Sequence, residues 1–152
     1  MNTLTADEQA RVHAILRPQE ELLWVGKPLS TAPTAVTVQP EGFMAKLKVL
    51  FGSRPHPAPA AAAVPLYLLT AKRAVVLLTT GELQEWPLML GMIQKVNEEA
   101  DGSGDVIFDH DYDERTETRT PRGFLRVADV DRVRMLVSSA ADAAYNASPW
   151  SV

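Results

Sequence analysis

The chain has 152 residues, of which 46% are hydrophobic and 22% charged, with a formal net charge of −4. A single domain over residues 1–152, large enough to bury its own core, is the expectation at this length. The absence of cysteine excludes disulfides, thiol chemistry and cysteine-based zinc sites, and the acidic balance argues against nucleic acid as a partner, because neutralising phosphates needs Lys and Arg.

The first residues, Met1-Asn-Thr-Leu-Thr-Ala-Asp-Glu, carry neither the basic start nor the apolar run of a signal peptide. No stretch reaches the ~20 apolar residues of a membrane span, so a cytoplasmic location is expected. Thr5-Ala-Asp-Glu8 reads as a capping box, and Val12, Ile15 and Leu16 follow on one helical face. A helix within residues 1–17 is predicted, ending before Pro18. Glu20 to Pro28 reads as a strand, with Leu22, Trp24 and Gly26 on one side and Leu23 and Val25 on the other. Trp24 is expected to anchor the core, since a Trp in an apolar run gains most from packing.

Thr34 to Val38 reads as a short strand, and residues 40–65 as an insert. Its first part is an amphipathic helix with Phe43, Leu47, Leu50 and Phe51 at helical spacing and Lys46 and Lys48 off that face. Its second part, Ser53 to Pro65, is a Pro/Ala-rich connector.

Tyr67-Leu-Leu-Thr-Ala-Lys-Arg-Ala-Val-Val-Leu-Leu78 is two apolar runs broken by a short basic step, which predicts two strands meeting at a turn over Thr70–Arg73. Leu83 to Leu88 supplies another strand, with Pro87 confining it to an edge or an end. Met89 to Val96 continues as strand or irregular chain, with Ile93 and Val96 turned to the core. Asp101-Gly-Ser-Gly-Asp105 is the strongest turn signal, leading into Val106-Ile-Phe108. A polar excursion from Asp109 to Gly123 precedes the last strand, Phe124–Val127. Asp129 is placed to cap a final helix within residues 128–146, along which Val130, Val133, Leu136, Val137, Ala140, Ala141 and Ala144 make one apolar stripe.

Three of these motifs together, Glu-Glu-Leu-Leu-Trp-Val-Gly-Lys-Pro from Glu20, Tyr-x-Leu-Thr-x-x-Arg-Ala-Val-Val from Tyr67 and Gly-Phe-Leu-Arg-Val-x-Asp-Val from Gly123, resemble bacterial PH-like domains. These belong to the pleckstrin-homology-type superfold also seen in GRAM-like proteins. The resemblance covers Glu20–Lys27 and Val64–Val137. It implies a mainly β fold with helices: a bent antiparallel sheet or barrel of about seven strands, capped by a C-terminal helix, to which this chain adds an N-terminal helix and an amphipathic insert. Many bacterial relatives carry a membrane hairpin where the insert stands. A superfold hosts many unrelated activities, so the resemblance implies no reaction.

The candidate sites are few. Asp109, Asp111 and Asp113 would share one strand face, near His110 and Glu114, and could offer oxygens to a hard cation; the following Arg115, Arg119, Arg122 and Arg126 make a solvated, self-neutralising hairpin the simpler reading, and no metal is expected. Lys72 and Arg73 with Arg119 and Arg122 are the candidates for an anion-binding patch. His13, His56 and His110 lie far apart in sequence, and no nucleophile elbow, His-Glu-x-x-His or phosphate-cradling Gly loop is present. The expectation is a non-enzymatic module without a cofactor, acting on a protein partner or as a homo-oligomer, with the Ala-rich Ser138–Tyr145 allowing close approach. The alternative is a peripheral membrane adaptor using the Phe43–Phe51 face, and a metal-dependent hydrolase is the remote one.

Overall fold

The Thr5 hydroxyl accepts from the Glu8 amide at 3.2 Å while the Glu8 carboxylate accepts from the Thr5 amide at 2.8 Å, and the reciprocal cap starts α1, Ala6–Ile15. The computed structural model describes residues 3–29 and 64–149. Among these the chain order is α1, β1 (Leu22–Gly26), β2 (Leu66–Thr70), β3 (Arg73–Leu77), β4 (Leu83–Pro87), β5 (Lys95–Glu98), β6 (Gly104–Asp113), β7 (Thr118–Val127) and α2 (Val130–Asn146). The strands form two antiparallel sheets, β1-β2-β3-β4 and β5-β6-β7. The expected strand at Thr34–Val38, the insert helix and the connector as far as residue 63 lie outside the described residues.

The first sheet is covered on both faces, which explains why β2 and β3 read as unbroken apolar runs without strand alternation. Tyr67, Leu69, Ala74 and Val76 face a core shared with Val106, Phe108, Phe124 and Val127 of the second sheet and Val130, Val133, Val137 and Ala140 of α2. Leu66, Leu68, Val75 and Leu77 face the other way and are covered by Val12, with Leu4, Ile15 and Leu16 beside it. Phe124, fully buried, is the hub of the larger core: its ring centroid lies 5.3 Å from Trp24, 5.3 Å from Tyr67 and 5.1 Å from Phe108. Trp24 does pack as an anchor. Its ring lies over Gly26, where a Cβ would overlap it, so the Trp-x-Gly spacing is a packing requirement.

Alternation in β1 fails at one point. The ladder to β2 pairs Leu22 with Thr70 and Trp24 with Leu69, a bulge that leaves both Leu22 and Leu23 at the surface. From Trp24 on the register is regular and ends with Gly26 opposite Tyr67.

The sheets are not closed into a barrel. At one corner the Leu29 amide donates to the Arg126 carbonyl at 2.7 Å and the Tyr67 hydroxyl to the Leu125 carbonyl at 2.9 Å; Arg126, at φ +56°, sits where the β6–β7 register shifts between the Val106–Phe124 and Gly104–Val127 pairs. At the other corner Pro87 ends β4 and the chain runs irregularly from Leu88 to Gln94 before β5. Burial pushes the Tyr67 hydroxyl up to about 12, so it serves as a neutral donor.

The excursion from Asp109 to Gly123 is not a loop. It extends both strands of the Gly104–Val127 hairpin, so the last strand begins at Thr118 and not at Phe124. Gly123 makes that length possible, since a Cβ there would strike the Val106 carbonyl across the ladder. Asp129 caps α2 by accepting from the Arg132 amide at 3.1 Å, and Val130, Val133, Val137, Ala140 and Ala141 are its buried residues.

Candidate functional site

The β4–β5 connection must cross from one sheet to the other without ladder bonds, and it does so through Leu88-Met-Leu-Gly-Met-Ile93. Leu88, Met92 and Ile93 pack against the core, while Gly91, at φ +74°, turns the chain and leaves Met89 54% and Leu90 50% exposed. Opposite them runs the Ala-rich half of α2. There Ala141 is buried, and its small side chain lines the space beside the connection. The result is a groove of ≈ 250 Å³, lined by Met89–Ile93 on one side and by Val137, Ser138, Ala141 and Asp142 on the other. Its floor is apolar, and Ser138 and Asp142 add one hydroxyl and one carboxylate. Chemically it can receive an apolar side chain and pair a cation beside it.

The cations expected at an anion patch are placed differently from one another. Arg73 turns inward and is 5% exposed. Its Nε donates to Glu20 Oε1 at 2.7 Å, Nη2 to Glu20 Oε2 at 2.8 Å and to the Ile15 carbonyl at 2.8 Å, and Nη1 to Glu85 Oε1 at 2.5 Å. Thr70 completes the cluster by donating to Glu20 Oε1 at 2.8 Å while accepting from the Arg73 amide at 3.1 Å. The Arg73 guanidinium beside it holds the buried Glu20 carboxyl at about 2. Arg122 forks onto Asp109, Nε to Oδ1 and Nη2 to Oδ2, both at 2.6 Å, and Trp86 Nε1 donates to the same carboxylate at 3.0 Å. Arg122 holds Asp109 below the usual carboxylate range. Lys72, in the β2–β3 turn, and Arg119, on the extended hairpin, are exposed and belong to different sheets.

Asp111 and Asp113 stand on the same strand face as Asp109, opposite Thr120 and Thr118. Among the described residues no group of three His, Cys, Asp or Glu side chains is placed to hold a metal ion. His110 contacts Gln94 at 3.3 Å, and His13 lies exposed on α1. The proposed membrane face, Phe43, Leu47, Leu50 and Phe51 with Lys46 and Lys48, and His56 lie outside the described residues. No described helix is long and apolar enough to cross a membrane.

Sequence reasoning did not find the groove. Its one visible signal was the pair Met89-Leu90 before Gly91, apolar residues next to a turn-forming glycine. Comparisons with protein-family models, curated proteins and solved structures give no match to this chain.

Proposed function

We propose that the chain is a non-enzymatic PH-like module of the cytoplasm that binds another protein. Two antiparallel sheets of four and three strands, with a terminal helix packed on the shared core, support the PH-like reading, as do the motifs that the fold uses. The Thr70 hydroxyl holds the central turn by accepting from the Arg73 amide, and Trp24 lies over Gly26. The observation that carries the binding function is the groove beside Leu90. Half-exposed Met and Leu side chains stand at the mouth of an apolar groove, where desolvating them on a partner is favourable at roughly 25 cal/mol per Å². The groove has room for one or two side chains, and Asp142 favours a partner segment with a basic residue next to its apolar one.

Selection of a random peptide library on the immobilised protein tests this. Enriched peptides are expected to combine a large apolar residue with Lys or Arg and to lose binding when Ser138→Arg fills the groove. No enrichment, or binding indifferent to Ser138→Arg in a folded variant, overturns the reading.

A further inference from the structure

The hairpin of β6 and β7 outgrows its sheet. β5 pairs with β6 only from Gly104 to Ile107, whereas β6 and β7 stay paired out to Asp113 and Thr118. Every residue from His110 to Thr120 is exposed, so this is a two-stranded ribbon with both faces in solvent. Two-stranded ribbons of this kind are marginal alone and gain from packing against another element.

The two faces have opposite charge. Cross-strand pairing puts Asp109 with Arg122, Asp111 with Thr120 and Asp113 with Thr118 on one face, and His110 with Pro121 and Tyr112 with Arg119 on the other. On the first face Arg122 is held by Asp109, which leaves the carboxylates of Asp111 and Asp113 in excess. Asp113 also accepts the turn amides of Arg115 and Thr116, at 2.9 and 3.4 Å, so its position is fixed. On the second face the only formal charge in the paired region is Arg119, beside Tyr112, which is 53% exposed. Among the described residues Asp111, Asp113 and Arg119 form no ion pair. Arg119, Tyr112, His110 and Gln94 line a groove of ≈ 410 Å³ together with Asp109 of the first face.

We infer that the ribbon docks onto the ribbon of a second copy, acidic face against Arg119 face. The partner is a copy of this chain because both halves of the complementary contact stand on one element. Symmetry then decides the form of the assembly. A two-fold arrangement would set Asp111 and Asp113 against themselves, or Arg119 against itself, and both are repulsive. Only unlike faces fit, so the contact is head-to-tail, each copy keeps one face open, and assembly continues with concentration. The contact is small and exposed, so it is weak and screened by salt. Tyr112 contributes the apolar area between the charges.

The test is sedimentation velocity of the full chain from micromolar to millimolar concentration, at ionic strengths of about 0.01 M and about 1 M, where the Debye lengths are about 30 Å and about 3 Å. The expected result is a mean mass that climbs steadily with concentration at low salt and collapses to the monomer at high salt. Arg119→Glu, and separately Asp111→Lys with Asp113→Lys, should each remain monomeric, because both of their faces then carry one sign. Mixing these two variants in equal amounts should restore growth, since each face again meets its opposite. A mass independent of concentration in the wild type overturns the inference, as does a closed dimer, a wild-type mass profile from either variant alone, or a mixture that stays monomeric. All substituted positions are exposed, and unchanged melting curves confirm that the variants fold. The groove beside Leu90 is elsewhere, so peptide binding there is expected to survive these substitutions.

Discussion

Arg73 and Glu20, 53 positions apart, meet in a buried two-bond fork whose side chains are 6% and 0% exposed. The fork ties the first residue of β3 to the segment between α1 and β1, and through the Ile15 carbonyl it also holds the end of α1. Every polar atom of the pair is answered: Glu20 accepts from Arg73, Thr70 and the Arg17 amide, and Arg73 also reaches Glu85. Removing one partner leaves a buried charge without its counterion, which typically costs about 3–5 kcal/mol. Arg73→Ala is therefore expected to lower the urea midpoint severely, while Lys72→Ala, one residue away and exposed, leaves it unchanged.

The same pair sets a pH dependence. Glu20 titrates at about 2 in the folded chain against an ordinary value of 4.5, so the folded state favours the ionised carboxylate. Its contribution is fully present above pH 4.5 and is lost as pH falls towards 2; at 1.36 kcal/mol per unit it amounts to about 3 kcal/mol. Asp109 and Glu8, also held low by Arg122 and Lys27, act in the same direction. Thermal melts from neutral pH to pH 2 should show this loss, and Glu20→Gln, less stable at neutral pH, should show a visibly flatter acid limb.

Trp86 joins the two sheets through Asp109, with the Arg122 guanidinium 5.8 Å from the centre of its ring. The Arg122–Asp109 pair is about a third exposed, so its loss should cost only about 1 kcal/mol. Its effect is local. Arg122→Ala should speed amide exchange along residues 109–113 and 118–122 while amides of β2 and β3 keep their protection.

Gly123 pairs with Ile107 across the β6–β7 ladder, at φ +155°. Any side chain meets the Val106 carbonyl, and the strands must part beside Phe124. Gly123→Ala is expected to cost about 2–3 kcal/mol, read as a fall in melting temperature with no change in the denaturant slope.

Leu90 is half exposed, so Leu90→Glu should leave stability within about 0.5 kcal/mol. The same substitution should abolish capture of groove-binding peptides. Parallel melting and binding curves on one preparation check both.

The parts of the fold that were legible in the sequence are those fixed by local rules. Thr5 and Glu8 are three apart and cap one helix; the glycines of Asp101–Asp105 make one turn; the runs around Thr70 are apolar because both faces of their strands are covered. The bond between Glu20 and Arg73 was not legible, because a charged residue beside a turn reads as solvated until the chain folds an acid against it. The length of β6 and β7 was missed for a related reason. Beyond Phe108 both faces of the ribbon are polar, so the alternation of apolar and polar residues that marks a half-buried strand is absent. The groove beside Leu90 depends on where an irregular connection crosses a helix, and no periodicity encodes that.

Gly26 and Tyr67 face each other at the end of the β1–β2 ladder, so the chain leaves one strand and re-enters its neighbour at adjacent points. Topologically β1 and β2 are antiparallel neighbours that follow one another among the described strands. Closing a hairpin depends only weakly on how many residues span it, since each doubling of length costs about 0.6 kcal/mol. In terms of closure entropy alone, the β1–β2 pair accommodates connections of very different length at this end.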